Sequence, residues 1–172
     1  KYLISFLFLA LAFSMKSEAK VTLPSILGDN MVLQQQAEVK LWGKARSNAT
    51  VTVKTSWNGQ TYKSSSDGKG GWSLTVSTPV AGGPYKIIFN DGELLTLQNV
   101  LIGEVWFCSG QSNMEMPVKG FRGQPVYGSQ PYIVSANPKR PLRLYTVKHN
   151  WSTTLKEEGI DGQWSEASSE EV

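Results

Sequence analysis

The segment "VTVKTSWNGQTYK", Val51 to Lys63, decides the fold class. Val51, Val53, Thr55 and Trp57 alternate with Thr52, Lys54 and Ser56, so a strand here turns one set of side chains inward and the other outward. Asn58-Gly59 follows, a pair that tolerates the positive φ both central residues of a type I′ turn require. Thr61-Tyr62-Lys63 reads as the returning strand, and a hairpin with one buried face is expected.

The same period of two extends outward on both sides. Trp72, Leu74 and Val76 alternate with Ser73, Thr75 and Ser77, and Tyr85, Ile87 and Phe89 alternate with Lys86 and Asn90. Asp91-Gly92 marks a turn before "ELLTLQNVLIG", and "SSSDGKGG", Ser64 to Gly71, reads as an exposed hairpin loop. There is no helical period of convincing length, no internal repeat and no low-complexity tract. Short strands with regular turns predict an antiparallel β-sandwich over residues 20–101. Trp57, Trp72 and Tyr85 suit its core; the competing reading makes them a stacking platform for sugar rings.

Ahead of this region "YLISFLFLALAF", Tyr2 to Phe13, is an apolar run behind a single lysine. It is too short for a membrane-spanning helix, which needs about 20 apolar residues. A basic start, an apolar centre and small residues at Ser17 and Ala19 match a secretory signal peptide over residues 1–19, cleaved after Ala19. The expectation is export: a secreted or periplasmic protein, lysosomal or extracellular in a eukaryote, with no membrane attachment after cleavage.

Charge is nearly balanced, with 17 Lys and Arg against 14 Asp and Glu, and no basic cluster exceeds a few residues. Nothing in it predicts a nucleic-acid partner or an anionic membrane. Cys108 is the single cysteine, so a core rather than a disulfide framework must stabilise an exported domain. At the end of an apolar run it reads as a small buried hydrophobe. Asn48-Ala49-Thr50 and Asn150-Trp151-Ser152 match the N-glycosylation pattern, which matters only in a eukaryotic secretory pathway.

Beyond Leu101 the character changes. "EVWFCSGQSNM", Glu104 to Met114, runs from four residues suited to a buried strand, Val105 to Cys108, into a turn that carries Ser112. A strand that ends in a sharp turn with a serine, and a helix after it, exposes a nucleophile beside the N–H groups at the helix start. Gly110 lets a carbonyl approach the backbone, Ser112 attacks it, and Gln111 and Asn113 either donate hydrogen bonds or hold the turn. By spacing alone, a structural turn and a catalytic one both stand: a serine-hydrolase elbow has a second glycine where this chain has Met114. An irregular region with Pro117, Pro125, Pro131, Pro138 and Pro141 follows, then "LRLYTV", Leu142 to Val147, as a second buried strand, and a polar tail from Asn150.

"GEVWFCSGQSNMEMPV", Gly103 to Val118, resembles the first conserved block of the sialate O-acetylesterase family of SGNH hydrolases. "LPSILGDNMVLQQQAEVKLWGKA", Leu23 to Ala45, resembles that family's opening β segment, and "RLYTVKHNWSTTLKEEGIDGQWSEASSEEV" the stretch leading into its hydrolase core. The resemblance implies a mixed β and α/β architecture. Residues 102–172 would be the incomplete amino-terminal part of a flavodoxin-like SGNH domain. It also implies an esterase that removes acetyl groups from sugar hydroxyls, with Ser112 as nucleophile, the Ser112 N–H as an oxyanion donor, and no cofactor or metal. The partner implied is an O-acetylated sugar or glycan.

Such hydrolases need a histidine base, usually with an aspartate, and further oxyanion donors, which the resemblance places in blocks beyond those matched. His149, the single histidine, has no aspartate three residues before it and reads as a surface loop residue rather than the base. Glu104 and Glu115 flank the serine, at a separation that sequence does not give. The alternative to an esterase is a non-catalytic carbohydrate-binding β-sandwich.

Overall fold

The structure is a computed structural model that describes residues 20–137, 139–148, 153–154 and 161–168. Strand β1 is Val32–Gln34, β2 Glu38–Lys44, β3 Thr50–Thr55, β4 Thr61–Ser65, β5 Gly71–Ser77, β6 Gly82–Asn90 and β7 Leu94–Gly103. Five of them form one sheet in the order β1-β7-β6-β3-β4, while β2 and β5 pair separately from Glu38↔Ser77 to Lys44↔Gly71.

The alternation read from sequence is the burial pattern observed. Val51, Val53 and Thr55 of β3 are fully buried, as are Ile87 and Phe89 of β6 and Val76 of β5. Both sheets turn these residues into one core, where Trp72 of β5 meets Phe89 of β6 at 5.8 Å between ring centroids. Trp57 and Tyr85 pack edge to face at the rim, 5.7 Å apart, and Trp57 Nε1 donates to the Ser77 carbonyl. The chain is thus mostly strand, with two sheets on a shared core.

Three local expectations are corrected. The β3–β4 connection spans residues 56–60 and is no two-residue type I′ turn: of the Asn58-Gly59 pair only Gly59 has positive φ, at 69°. The Asn58 carboxamide closes the longer loop by accepting from Thr55 Oγ1 at 2.6 Å and the Gln60 N–H at 3.0 Å. The large sheet is not wholly antiparallel, because β1 runs parallel to β7 with Val32 opposite Leu101. The loop from Ser64 to Gly71 closes no hairpin within a sheet, since it carries the chain from β4 in one sheet to β5 in the other. In it Ser66 is buried, and the Asp67 carboxylate accepts from the N–H groups of Gly71 and Lys69, which lower its pKa.

After β7 come a single-turn helix α1 (Ser112–Glu115), a tight ribbon of β8 (Gly120–Phe121) and β9 (Gln124–Pro125), and α2 (Gln130–Ser135). Then β10 (Arg143–Val147) pairs antiparallel with β11 (Gly162–Glu166). The expected buried strand Leu142–Val147 is therefore β10, half-buried at its start and exposed at Thr146 and Val147. Its partner lies in what reads from sequence as a polar tail. Among the described residues no helix is long and apolar enough to cross a membrane. The expected signal peptide, His149 and the Asn150 sequon lie outside the described residues.

The β10–β11 ribbon is held to the core by specific polar contacts. Trp164 Nε1 donates to the Ile26 carbonyl at 2.8 Å, and Tyr145 packs on Trp164 while sharing a hydrogen bond with Ser25. The Arg143 side chain, 6% exposed, pairs with Glu166 at 3.1 Å, and Asn99 Nδ2 donates to both Glu166 and Asn30. A guanidinium buried to this extent has little water to replace a lost carboxylate. Glu166→Ala is expected to destabilise the protein by about 2–3 kcal/mol, below the value for a fully enclosed pair because Glu166 is partly exposed. Urea unfolding checks this; a change under about 0.5 kcal/mol, the range of an ordinary surface substitution, contradicts it.

Candidate active site

The segment that carries Ser112 leaves the large sheet at Gly103, and a polar clasp fixes its exit. Gln34 Nε2 and Gln35 Nε2 donate to the two Glu104 carboxylate oxygens at 3.0 and 2.6 Å, and the Val105 N–H donates to Gln34 Oε1 at 2.9 Å. The end of β1 thereby holds the first residues after β7.

Hydrogen bonds from Gln34, then Gln35, stabilise the charged form of Glu104 and pull its pKa below the ordinary value of 4.5. A lowered folded pKa means that the clasp is intact above the unfolded value and loosens as pH falls through the folded one. In a carboxyl NMR titration, Gln35→Ala is expected to raise the Glu104 pKa toward 4.5. An unchanged pKa would remove Gln35 from the clasp.

Past the clasp, the expected buried strand Val105 to Cys108 is not formed. These residues belong to no strand; Trp106 is 83% and Phe107 91% exposed, and Cys108 is an exposed free thiol rather than a buried hydrophobe. An apolar run becomes a buried strand only beside neighbours that pair with its backbone and cover its side chains. Among the described residues none is placed to do so.

Gly110, Gln111, Ser112 and Asn113 lie together on the turn that follows, all exposed. The expected helix begins at Ser112 itself and lasts one turn, with the Met116 N–H bonded to the Ser112 carbonyl at 3.2 Å. Gln111 is its N-cap residue, but its side chain makes no capping bond. The N–H groups of a first helical turn lack intrahelical partners, so those of Ser112 and Asn113 are the donors the turn offers to an oxyanion. Glycine at 110 has a packing reason: a Cβ there would run into the Met114 side chain.

Among the described residues no side chain hydrogen-bonds the Ser112 hydroxyl, and no group of three His, Cys, Asp or Glu side chains is placed to hold a metal ion. Beside the turn, Asn113 borders a cavity of about 320 Å³ walled by Met116, Val118, Val126, Tyr127 and Tyr132. Sequence reading did not single out this wall or the Gln34–Gln35–Glu104 clasp. The only local signal for the clasp is the glutamine run at Gln34 to Gln36, whose partner lies 70 residues away from Gln34.

No protein-family model matches the chain. Sialate O-acetylesterases are similar to it over most of its length. The Homo sapiens protein is 28% identical over 163 residues, covering 86% of this chain and 30% of its own length. The Mus musculus protein is 33% identical over 147 residues, covering 80% and 26%. Among solved structures, a carbohydrate acetylesterase from Xanthomonas citri superposes with a TM-score of 0.78 at 30% identity, over 88% of this chain and 33% of its own. The chain thus spans between a quarter and a third of the length of these relatives.

Proposed function

We propose, from the premise that sialate O-acetylesterases are homologues of this chain, that the protein hydrolyses acetyl esters on sugar hydroxyls with Ser112 as nucleophile. The observation that carries the reading is the exposed Gly110 to Met114 turn, with the serine at the first position of a helical turn, in a chain whose relatives are carbohydrate esterases. The Ser112 hydroxyl attacks the acetyl carbonyl, and the carbonyl electrons move onto its oxygen. The tetrahedral oxyanion is met by the Ser112 N–H and collapses with loss of the sugar alcohol. Water then releases acetate from the acetyl-enzyme by the same route. Asn113 and Gln111 flank the nucleophile as further donors or as braces of the turn, and Gly110 keeps the approach to the backbone open.

The base that takes the Ser112 proton belongs, in this reading, to the longer hydrolase domain that the relatives' length supplies. That domain, of SGNH architecture, would also cover Trp106 and Phe107, since exposed apolar surface of this kind marks an interaction face. Residues 1–172 alone are therefore expected not to turn over. The two sheets on their shared core are read as the sandwich ahead of the hydrolase region. Export through residues 1–19, and the absence of nucleic-acid and membrane partners, complete the proposal.

The test is acetate release from an O-acetylated glycan by the full-length protein. Steady release that saturates with glycan supports the assignment; no acetate from acetylated sialosides or acetylated plant polysaccharide contradicts it.

A further inference from the structure

The clasp on Glu104 is one part of a larger hydrogen-bond network, which runs from the β5–β6 connection through the end of β1 to the root of the segment that carries Ser112. Gln34 and Gln35 are half-buried, and each uses both ends of its side-chain amide. Gln34 Oε1 accepts the Val105 N–H, and Gln35 Oε1 accepts the Ala81 N–H at 2.8 Å. Their backbone is tied as well: the Gln35 N–H donates to the Gly103 carbonyl at 2.8 Å, and the hydroxyl of the buried Thr78 donates to the Gln34 carbonyl at 2.6 Å.

This arrangement decides which way round each amide lies. A backbone N–H can only donate, so the atom it meets is the amide oxygen, and the amide nitrogen of each glutamine is thereby turned to Glu104. Glu104 receives one N–H on each carboxylate oxygen, and among the described residues it is these two neutral amides, not a cation, that favour its charged form. A neutral acid would set its own O–H against one of the donors. Only the ionised carboxylate completes the network.

The network is also the last hold that the sheets have on the segment. Among the described residues, no hydrogen bond joins Trp106 to Gly110 back to the β region. Ser112 lies seven positions beyond Val105. A stretch of that length reaches up to about 20 Å, so a tilt of about 10° at its root moves the far end by about 3 Å. Misplacing a reacting group by about 1 Å already costs on the order of 10²-fold in rate.

We propose that Glu104 and Gln35 are positioning residues for the nucleophile: their hydrogen bond fixes the direction in which the chain leaves the sheets for the Ser112 turn. The inference rests on the esterase reading for what is positioned, while the network itself belongs to the β region. The rest of the hydrolase domain would brace the turn from its other side, so breaking the clasp should impair catalysis without abolishing it.

The experiment exchanges the two partners in the full-length protein. In Glu104→Gln one amide nitrogen faces another, and in Gln35→Glu two carboxylates face each other. The double variant restores every bond with the roles reversed: the carboxylate at position 35 accepts from the Ala81 N–H and from the amide at position 104, whose oxygen accepts from Gln34. Each single variant is expected to lower kcat for acetate release from an O-acetylated glycan about tenfold, with KM and melting temperature near the parent's, and the double variant to recover to within about threefold. Independently of activity, hydrogen exchange at the Ala81 and Val105 amides, which end on the two glutamine oxygens, should quicken several-fold in the single variants and return to the parental rate in the double.

Parental kcat in the single variants, a double variant no better than the singles, or losses of kcat that follow the melting temperature overturn the positioning role even if the esterase is active. Exchange that quickens in the singles and recovers in the double, in a protein that releases no acetate, overturns the esterase reading and leaves the latch on the segment in place.

Discussion

In the full-length protein, Ser112→Ala is expected to lower kcat for acetate release by at least about 10⁴-fold with little change in KM. Losing the nucleophile of a serine hydrolase removes the covalent path entirely, and what survives is the contribution of the oxyanion donors and of binding. The backbone N–H of residue 112 remains in the variant, so the oxyanion contact is retained and the loss isolates the hydroxyl. Because Ser112 is exposed and makes no side-chain hydrogen bond among the described residues, the substitution should leave the melting temperature unchanged. A variant with parental kcat shows that Ser112 is not the nucleophile, and an equal loss of activity and stability would attribute the effect to unfolding.

Phe89→Ala should destabilise the protein by about 3–5 kcal/mol, the range for truncating a large core aromatic. Phe89 is fully buried, sits opposite both Val53 and Leu95 in the large sheet, and touches Trp72 of the other sheet. The ring is therefore one of the contacts through which the two sheets share their core. Phe89→Leu, which leaves a smaller void, should cost less than half as much. Leu94→Ala, on an exposed position at the start of β7, should stay within about 0.5 kcal/mol. Equilibrium urea unfolding ranks the three; similar costs for Phe89→Ala and Leu94→Ala would deny the shared core.

The strands around that core were legible because alternation reports burial directly. Val51 and Val53, Trp72 and Val76, and Ile87 and Phe89 each point inward as their spacing implies. Strand β1 was not legible: three residues, Val32 to Gln34, carry too little pattern to reveal a parallel pairing with β7 that forms only in the tertiary fold. Strand β11 was hidden for a related reason. Its one large apolar residue, Trp164, is anchored by a contact to Ile26 that no local rule contains.

The candidate site divides in the same way. The turn itself was readable, because Ser109 to Asn113 are residue types that suit a tight turn. The state of Val105 to Cys108 was not, since an apolar run records a preference for burial and says nothing about whether a partner strand lies beside it. The glutamine clasp on Glu104 joins residues on either side of the β region, and only the parallel β1–β7 pairing brings them together.

The most direct test of the central claim is to treat the full-length protein with a fluorophosphonate, which phosphonylates activated serines, and to map the adduct by peptide mass spectrometry. The account predicts one modified serine, Ser112, with acetate release lost in proportion to labelling. Activity abolished by an adduct on another serine, or full activity with Ser112 quantitatively modified, would contradict it.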